Sequence, residues 1–372
     1  MKSLVILGVS GSIGTQTISI LKRNPKDFIL LGVSIGTRTR VIASLVKSFP
    51  SLKAICIKDK NKLSYYKSHY PNINFFFGDD GLCDLISFCR PEMVVNALVG
   101  FVGLKPTLFS LENNMKVALA NKEALVVGGE LVNKLLKHGK GKIYPIDSEH
   151  SALWKCLKVD DCDVDKLIIT ASGGAFRKLE RKDLKEVKAK DALNHPTWKM
   201  GAKITIDCAT MVNKSFEIIE AYYLFNYKYE NIEVLLHEES YIHSMVRYKN
   251  GLYRADINKP DMRNPIKFAL YEGECQYKTF VSDDYHKFGD YHFHEFKLER
   301  YPMVEYAKKV IDVGGSMGAI YNAANEVAVY AFLKNEIPFL AIEKIICKCV
   351  NSIKVINNID YDKLAKIDAE TR

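Results

Sequence analysis

Leu4-Val5-Ile6-Leu7-Gly8-Val9-Ser10-Gly11-Ser12-Ile13-Gly14 decides the fold. An apolar run of strand length ends in glycines, and a helical pattern, Thr15–Arg23, opens directly after them. Glycines let the chain turn tightly and approach a pyrophosphate, while the helix N-terminus offers N–H groups to it. The spacing is GxxGxxG rather than GxGxxG, and glycines also end strands for structural reasons. The strand before and the helix after favour a dinucleotide site. Outward from this turn, Phe28–Ile35, Ala54–Ile57, Met93–Leu98 and Lys116–Ala120 read as further buried strands. Amphipathic stretches at Arg40–Phe49, Asp59–His69 and Lys122–His138 alternate with them. Strand and helix in alternation predict a doubly wound, Rossmann-like α/β domain over residues 1–145.

The pattern changes beyond Lys142. Ile143–Ile146, Leu167–Thr170, Lys203–Asp207, Ile232–Leu236 and Ser244–Tyr248 read as strands, with a helix from about Met211 to Phe225. This predicts a central α+β catalytic domain over 146–280. A polar segment around Ser282–Asp290 suggests a connection over 281–300. After Pro302 the chain is helical in character, with Ile342, Ile345, Ile346, Cys349 and Ile353 at helical spacing, so 301–372 is expected to form a small helical bundle.

Composition bounds the function. The chain has 372 residues, of which 48% are hydrophobic and 26% charged, which excludes a disordered, collagenous or small disulfide-stapled protein. The longest apolar stretch, Met93–Leu104, is interrupted by Asn96 and is shorter than the ~20 residues of a membrane helix. A short apolar run leads straight into the glycine pattern, so no signal peptide is expected and the chain is expected to be cytoplasmic. Nine cysteines without a CxxC pair fit reduced thiols. The net charge of +9 is spread along the chain with no dense basic tract. It suits phosphorylated small molecules better than nucleic acid, and neither a nucleic-acid nor a membrane partner is expected.

Four clusters carry chemistry. Gly36-Thr37-Arg38-Thr39-Arg40 ends the second strand without the acidic residue that would bind NAD ribose hydroxyls, and its arginines suit a 2′-phosphate. NADP is therefore expected over NAD, unless Arg38 and Arg40 merely open a solvated helix. Asp147-Ser148-Glu149 follows a strand, and an extended spacing of two would point both carboxylates one way. Asn213, Lys214 and Glu217 share one helix face. Three carboxylates without Cys or His suit Mg²⁺ or Mn²⁺ rather than zinc. Taken alone, such residues more often form a helix cap with solvated charges. Ser172-Gly173-Gly174 fits a backbone anion nest for phosphate, although glycine pairs at strand ends are common. Asn194-His195-Pro196-Thr197-Trp198-Lys199-Met200-Gly201 is either a loop that closes over a ligand or one whose Trp packs inward.

In this order the motifs resemble the 1-deoxy-D-xylulose 5-phosphate reductoisomerase family. The matching stretches are Gly11–Gly14, Ala120-Asn121-Lys122-Glu123, Pro145–Ser151 and Ala171–Gly174. They continue through His195–Trp198, Asp207, Ala209–Met211, Asn213-Lys214, Pro260–Arg263 and Asn322–Glu326. The resemblance implies a homodimeric enzyme that uses NADPH and Mn²⁺ or Mg²⁺. Its reaction rearranges 1-deoxy-D-xylulose 5-phosphate and reduces it to 2-C-methyl-D-erythritol 4-phosphate, in isoprenoid synthesis. It implies metal ligation by Asp147, Glu149 and Glu217. Lys122, Ser148 and Glu149 would face the substrate hydroxyl and carbonyl region, with Lys122 and Glu149 the candidates for proton transfer. Ser172, His195, Cys208, Asn213 and Lys214 would hold the phosphate end, with His195 counted among the catalytic groups and Glu217 near the substrate. Ser10, Gly11, Ser12, Ile13, Gly36, Thr37, Arg38, Asn121, Glu123 and Gly201 would contact NADPH.

Several residues depart from the family pattern. Cys208 stands where the family usually has a phosphate-binding Ser, and a thiol is the weaker donor. Val9-Ser10 replaces Ser-Thr, and Thr37-Arg38 stands where Lys-Asn can occur. Ala175 replaces Pro, Ser215 replaces Gly, and Glu238-Glu239 replaces Pro-Gln. Two other readings are a non-catalytic NADP-binding sensor with a decayed centre, and an NADP-dependent dehydrogenase of another sugar phosphate. The acidic and lysine residues present at the family positions favour the enzyme.

Overall fold

The computed structural model describes residues 1–158, 162–198, 200–274 and 289–372. Packing divides the chain into two units. The first comprises Met1–Ala124, Leu131–Asp147 and Met262–Tyr277; the second comprises Leu125–Glu130, Ser148–Asp261 and Lys278–Arg372.

The first unit is a parallel sheet with helical crossovers. In chain order it contains β1 (Lys2–Leu7), α1 (Ser12–Arg23), β2 (Phe28–Ile35), α2 (Ile42–Ser48), β3 (Ala54–Ile57), α3 (Leu63–His69) and β4 (Asn74–Phe77). There follow α4 (Asp80–Cys89), β5 (Met93–Asn96), α5 (Leu104–Glu112), β6 (Lys116–Leu119), α6 (Glu123–His138) and β7 (Lys142–Pro145). The strand order is β4-β3-β2-β1-β5-β6-β7, all parallel. Leu4 through Leu7, and Met93, Val95 and Val117, are fully buried, as expected for strands covered on both faces. The order reverses between β1 and β5, which opens a crevice at their carboxyl ends.

The second unit starts with α7 (Ser148–Leu157), β8 (Val164–Ala171), α8 (Ala189–Ala192), α9 (Ala202–Thr210) and α10 (Val212–Phe225). It continues through β9 (Ile232–Leu236), β10 (Ile242–Tyr248) and β11 (Tyr253–Ile257). The chain then contributes α11 (Arg263–Leu270) to the first unit, before β12 (His294–Glu295). The mixed sheet runs β11-β10-β8-β9-β12, with β8 and β9 parallel and the other pairs antiparallel. Helices α12 (Glu305–Val313), α13 (Met317–Leu333), α14 (Phe339–Ser352) and α15 (Tyr361–Thr371) complete it. Helix α13 is buried along most of its length and packs on α9, α12, α14 and α15.

Two expectations are corrected. Lys203–Asp207 is not a strand but the middle of α9. Its alternation Ile204, Ile206 reads as period two, yet Thr205, Ile206 and Ala209 are buried on a helix held by Lys203–Asp207 at 2.8 Å, an i,i+4 ion pair. Ser148 and Glu149 are not extended, because α7 begins at Ser148. Strand alternation therefore does not set the directions of Asp147 and Glu149. Lys199 and most of Ser282–Asp290 lie outside the described residues, as does the boundary expected at 280/281. Among the described residues, no helix is long and apolar enough to cross a membrane.

Candidate functional site

In the first unit, the β1–α1 turn is shaped by steric necessity. Gly8 has φ +80°, and a Cβ there would sit 2.6 Å from the Ala97 carbonyl oxygen. A Cβ on Gly14 would lie 2.4 Å from the Gly8 carbonyl oxygen, so α1 can approach the strand end only with glycine there. Gly11 caps α1 with no side-chain hydrogen bond, and no acidic residue stands in its first turn. The N–H groups of Ser12 and Ile13 are thus offered to an anion, the arrangement a pyrophosphate requires. The Arg38 Nη1 donates to the Ser10 carbonyl oxygen at 3.3 Å, which brings the end of β2 against the glycine turn. Gly36 and Thr37 lie in the same β2 connection.

Asn121 is fully buried beside this crevice. Its amide donates to the carbonyls of Leu98 at 3.2 Å and Gly100 at 3.0 Å and to Glu123 Oε2 at 3.0 Å, while its Oδ1 accepts from the Ala124 N–H at 3.1 Å. This fixes the loops after β5 and β6 together. Lys122 and Asp147 form an ion pair in the same unit, with both side chains less than a tenth exposed. Ion pairs this buried are held by geometry, since each charge has lost its water.

The second unit carries the remaining groups. Glu149 at the start of α7 and Glu217 on α10 approach with carboxylate oxygens within 4.8 Å of each other. The Lys214 ammonium joins them: it reaches Glu149 Oε1 at 3.2 Å, pairs with Glu217, and donates to the Thr170 carbonyl oxygen at 2.5 Å. Asn213 donates to the other Glu217 oxygen, so the expected shared face of Asn213, Lys214 and Glu217 is formed. Ser148 Oγ donates to Glu149 Oε2 at 2.5 Å. Glu217 is almost wholly buried, and two carboxylates facing one cation in so dry a place make a site for a hard positive ion. The donors are all oxygen, and the lysine ammonium occupies the position of a counter-ion, so the residues fit Mg²⁺ or Mn²⁺.

Next to Thr170, β8 runs into Ser172-Gly173-Gly174, where both glycines have positive φ, +85° and +71°. A Cβ on Gly174 would meet the Cys208 carbonyl oxygen at 2.6 Å, so the turn lies flush on the last turn of α9. His195 faces it, with Nε2 3.1 Å from Ser172 Oγ. The backbone N–H groups of Thr197 and Trp198 both donate to Nδ1, at 3.2 and 3.0 Å. Nδ1 is therefore the acceptor and Nε2 carries the proton. Burial, and then the Arg177 charge, push His195 down to about 4 against the pull of Glu149. Cys208 is half-buried on α9, and Gly201 caps the start of that helix, exposed and with open space where a Cβ would go.

Sequence reasoning passed over His150 and Glu220. His150 Nε2 donates to the Glu217 carbonyl oxygen at 2.8 Å, and its Nδ1 lies 3.4 Å from Glu220 Oε2. The pair ties α7 to α10 directly behind the carboxylates. The available signals were the position of His150 beside Glu149 and the i,i+3 spacing of Glu217 and Glu220.

Three family models match the chain: 1-deoxy-D-xylulose 5-phosphate reductoisomerase over residues 4–129, its C-terminal domain over 143–225, and the DXP reductoisomerase C-terminal domain over 257–372. A 1-deoxy-D-xylulose 5-phosphate reductoisomerase of Geobacillus kaustophilus is 43% identical over 375 residues, covering 100% of this chain and 98% of that protein. One of Clostridium kluyveri is 41% identical over 377 residues with the same coverage. A crystal structure of DOX-P reductoisomerase in complex with NADPH, fosmidomycin and magnesium superposes with a TM-score of 0.94 at 32% identity, covering 100% of this chain and 97% of that one. The Zymomonas mobilis enzyme in complex with NADPH gives 0.91 at 34% identity with the same coverage. The glycine turn, the carboxylate pair and these full-length likenesses agree, and the chain belongs to the 1-deoxy-D-xylulose 5-phosphate reductoisomerase family.

Proposed function

We propose that this chain converts 1-deoxy-D-xylulose 5-phosphate to 2-C-methyl-D-erythritol 4-phosphate with NADPH and Mg²⁺ or Mn²⁺. The observation that carries this reading is the Glu149–Lys214–Glu217 cluster, set beside the Ser172–Gly174 turn. It puts a hard-cation site next to an anion nest, as a reacting carbonyl and a distant phosphate on one small substrate require. Asp147, two residues before Glu149, supplies the third carboxylate. When bound, the metal supplies Lewis-acid polarisation of the carbonyl and NADPH the hydride.

The chain's own groups do the rest. Ser172 and the His195 Nε2–H present donors to the phosphate end, with Asn213 and Cys208 beside them. Lys214, which neutralises Glu149 and Glu217 here, serves the phosphate end once those carboxylates have another counter-charge. Gripping the phosphate away from the reacting carbons spends binding energy on orientation. Lys122 and Glu149 are the candidates for moving a proton at the substrate hydroxyls, and Ser148 Oγ donates to the Glu149 carboxylate. Residues 194–201 act as the closing loop that keeps water from the aldehyde intermediate. Ser10, Gly11, Ser12, Ile13, Gly36, Thr37, Arg38, Asn121, Glu123 and Gly201 contact NADPH.

In this division of labour 1–145 binds NADPH, joined by α11, 146–280 otherwise holds the metal and substrate, 281–300 connects and lends β12 to the second unit's sheet, and 301–372 supports. The working form is a cytoplasmic homodimer. Strand β11 supports the dimer: it is an edge strand whose exposed face carries Tyr253, Ala255 and Ile257. An exposed apolar edge of this kind calls for a partner. The test is product identification by NMR after incubation with 1-deoxy-D-xylulose 5-phosphate, NADPH and Mg²⁺. Methylerythritol phosphate is expected; tight NADPH binding without turnover would overturn the assignment.

A further inference from the structure

Arg177 lies outside every group assigned a role above, yet it is built into the floor of the anion nest. Its Nη1 donates to the Ser172 carbonyl oxygen at 3.5 Å and to the Glu238 carbonyl oxygen at 3.4 Å. Its Nε pairs with Glu238 Oε2 at 2.9 Å. The Arg177 side chain is only 18% exposed, while that of Glu238 is 39% exposed. The position is fixed from the other side too, because a Cβ on Gly173 would meet the Arg177 Cβ at 2.6 Å. Ser172 thus touches Arg177 through its carbonyl and His195 through its hydroxyl. Carbonyl and carboxylate partners hold the guanidinium on the far side of the Ser172 backbone from the Ser172 hydroxyl.

We propose that Arg177 is a positioning residue for the phosphate end, holding a fixed positive charge beneath the Ser172–Gly174 nest, with Glu238 attenuating that charge from its more exposed side. The proposal rests on the reading of Ser172 and His195 as the phosphate end. A dianion feels such a charge without contact, because the intervening protein screens less than water does. Two charged groups act on His195, Arg177 and Glu149, so the ring also reports the field. A merely mechanical brace and a field-setting pair make opposite predictions for Glu238. If the pair only props the turn, losing either partner loosens anion binding. If the charge matters, removing the carboxylate strengthens it.

The experiment measures inorganic phosphate as a competitive inhibitor against substrate, alongside the His195 titration by NMR, in the full-length enzyme. Arg177→Met is expected to weaken phosphate inhibition about tenfold and to raise the His195 pKa. Glu238→Gln is expected to tighten phosphate inhibition about two- to threefold and to lower the His195 pKa further, the smaller effect reflecting solvent screening. Arg177→Lys keeps the charge without the fork and is expected to fall between Arg177→Met and the parent. NADPH affinity within about twofold of the parent marks a folded protein. Weakened phosphate inhibition in Glu238→Gln, or unchanged inhibition in both Arg177 variants, overturns the proposal. If phosphate neither inhibits the parent enzyme nor perturbs its His195 resonance, the phosphate-end reading itself fails, and the two failures are thereby told apart.

Discussion

At the scale of single residues, charge and donor strength decide the ligands. Arg38 sits where a dinucleotide site for NAD would carry a carboxylate, and its guanidinium already leans on the glycine turn through Ser10. Arg38→Asp should therefore lower the preference for NADPH over NADH by about tenfold or more, read from the ratio of kcat/KM for the two cofactors. An unchanged ratio would show that Arg38 merely opens the next helix. Cys208 is half-buried beside the nest, and a thiol donates more weakly than a hydroxyl. Cys208→Ser should lower substrate KM by about two- to tenfold with NADPH affinity unchanged. A KM that stays put removes Cys208 from the phosphate contacts. Both residues were visible in the sequence because their chemistry differs from what their position calls for. His150, Glu220 and Arg177 were not, since each acts through a carbonyl or a neighbouring side chain, and such contacts have no pattern along the chain.

Among the elements, β11 makes the clearest demand. Among the described residues it pairs only with β10, and its outward residues Tyr253 and Ile257 are 52% and 40% exposed. In the proposed homodimer paired through β11, Ile257→Lys should give monomer, with a loss of association of about a hundredfold or more measured by sedimentation velocity at micromolar protein. A dimer of undiminished affinity would move the interface elsewhere. Strands were read well where burial on both faces makes the apolar run continuous, so Phe28–Ile35 and Ala54–Ile57 have the expected bounds. Strand β4 escaped notice: Phe75 alone is well buried in Asn74–Phe77. Helix α9 was misread because Lys203–Asp207 alternates like a strand, whereas its helical state depends on partners distant in sequence. One of these is Asn325 on α13, which donates to Asp207 at 2.9 Å. The start of α7 at Ser148 was likewise set by tertiary packing rather than by local pattern.

At the level of the whole molecule, the first unit is closed by a segment that returns to it partway along the second. Glu272, just past α11, is the clasp: Lys2 reaches it at 2.6 Å, Lys116 at 2.7 Å and the Tyr144 hydroxyl at 2.8 Å. Burial pushes its carboxyl up, but the hydrogen bonds from Lys116, Lys2 and Tyr144 together outweigh that and hold it at about 2, down from 4.5. Because the folded-state value lies below the unfolded one, the stabilisation is complete above about pH 4.5 and is lost as pH falls toward 2. It amounts to on the order of 3 kcal/mol before solvent screening reduces it. Glu272→Gln should lower stability to urea at pH 7 and flatten the loss between pH 4.5 and 2. An equal pH slope in the variant and the parent would assign the acid sensitivity to other carboxylates.

In the proposed reaction the Glu149 and Glu217 carboxylates, with Asp147, hold the metal on which turnover depends. The most direct measurement follows NADPH oxidation at saturating 1-deoxy-D-xylulose 5-phosphate while Mn²⁺ or Mg²⁺ is titrated into metal-free enzyme, for the parent and for Glu217→Gln. Saturable, metal-dependent turnover is expected in the parent, and a loss of about a hundredfold or more in Glu217→Gln with NADPH binding intact. Metal-independent turnover, or a Glu217→Gln enzyme with the parent's metal dependence, would contradict that assignment.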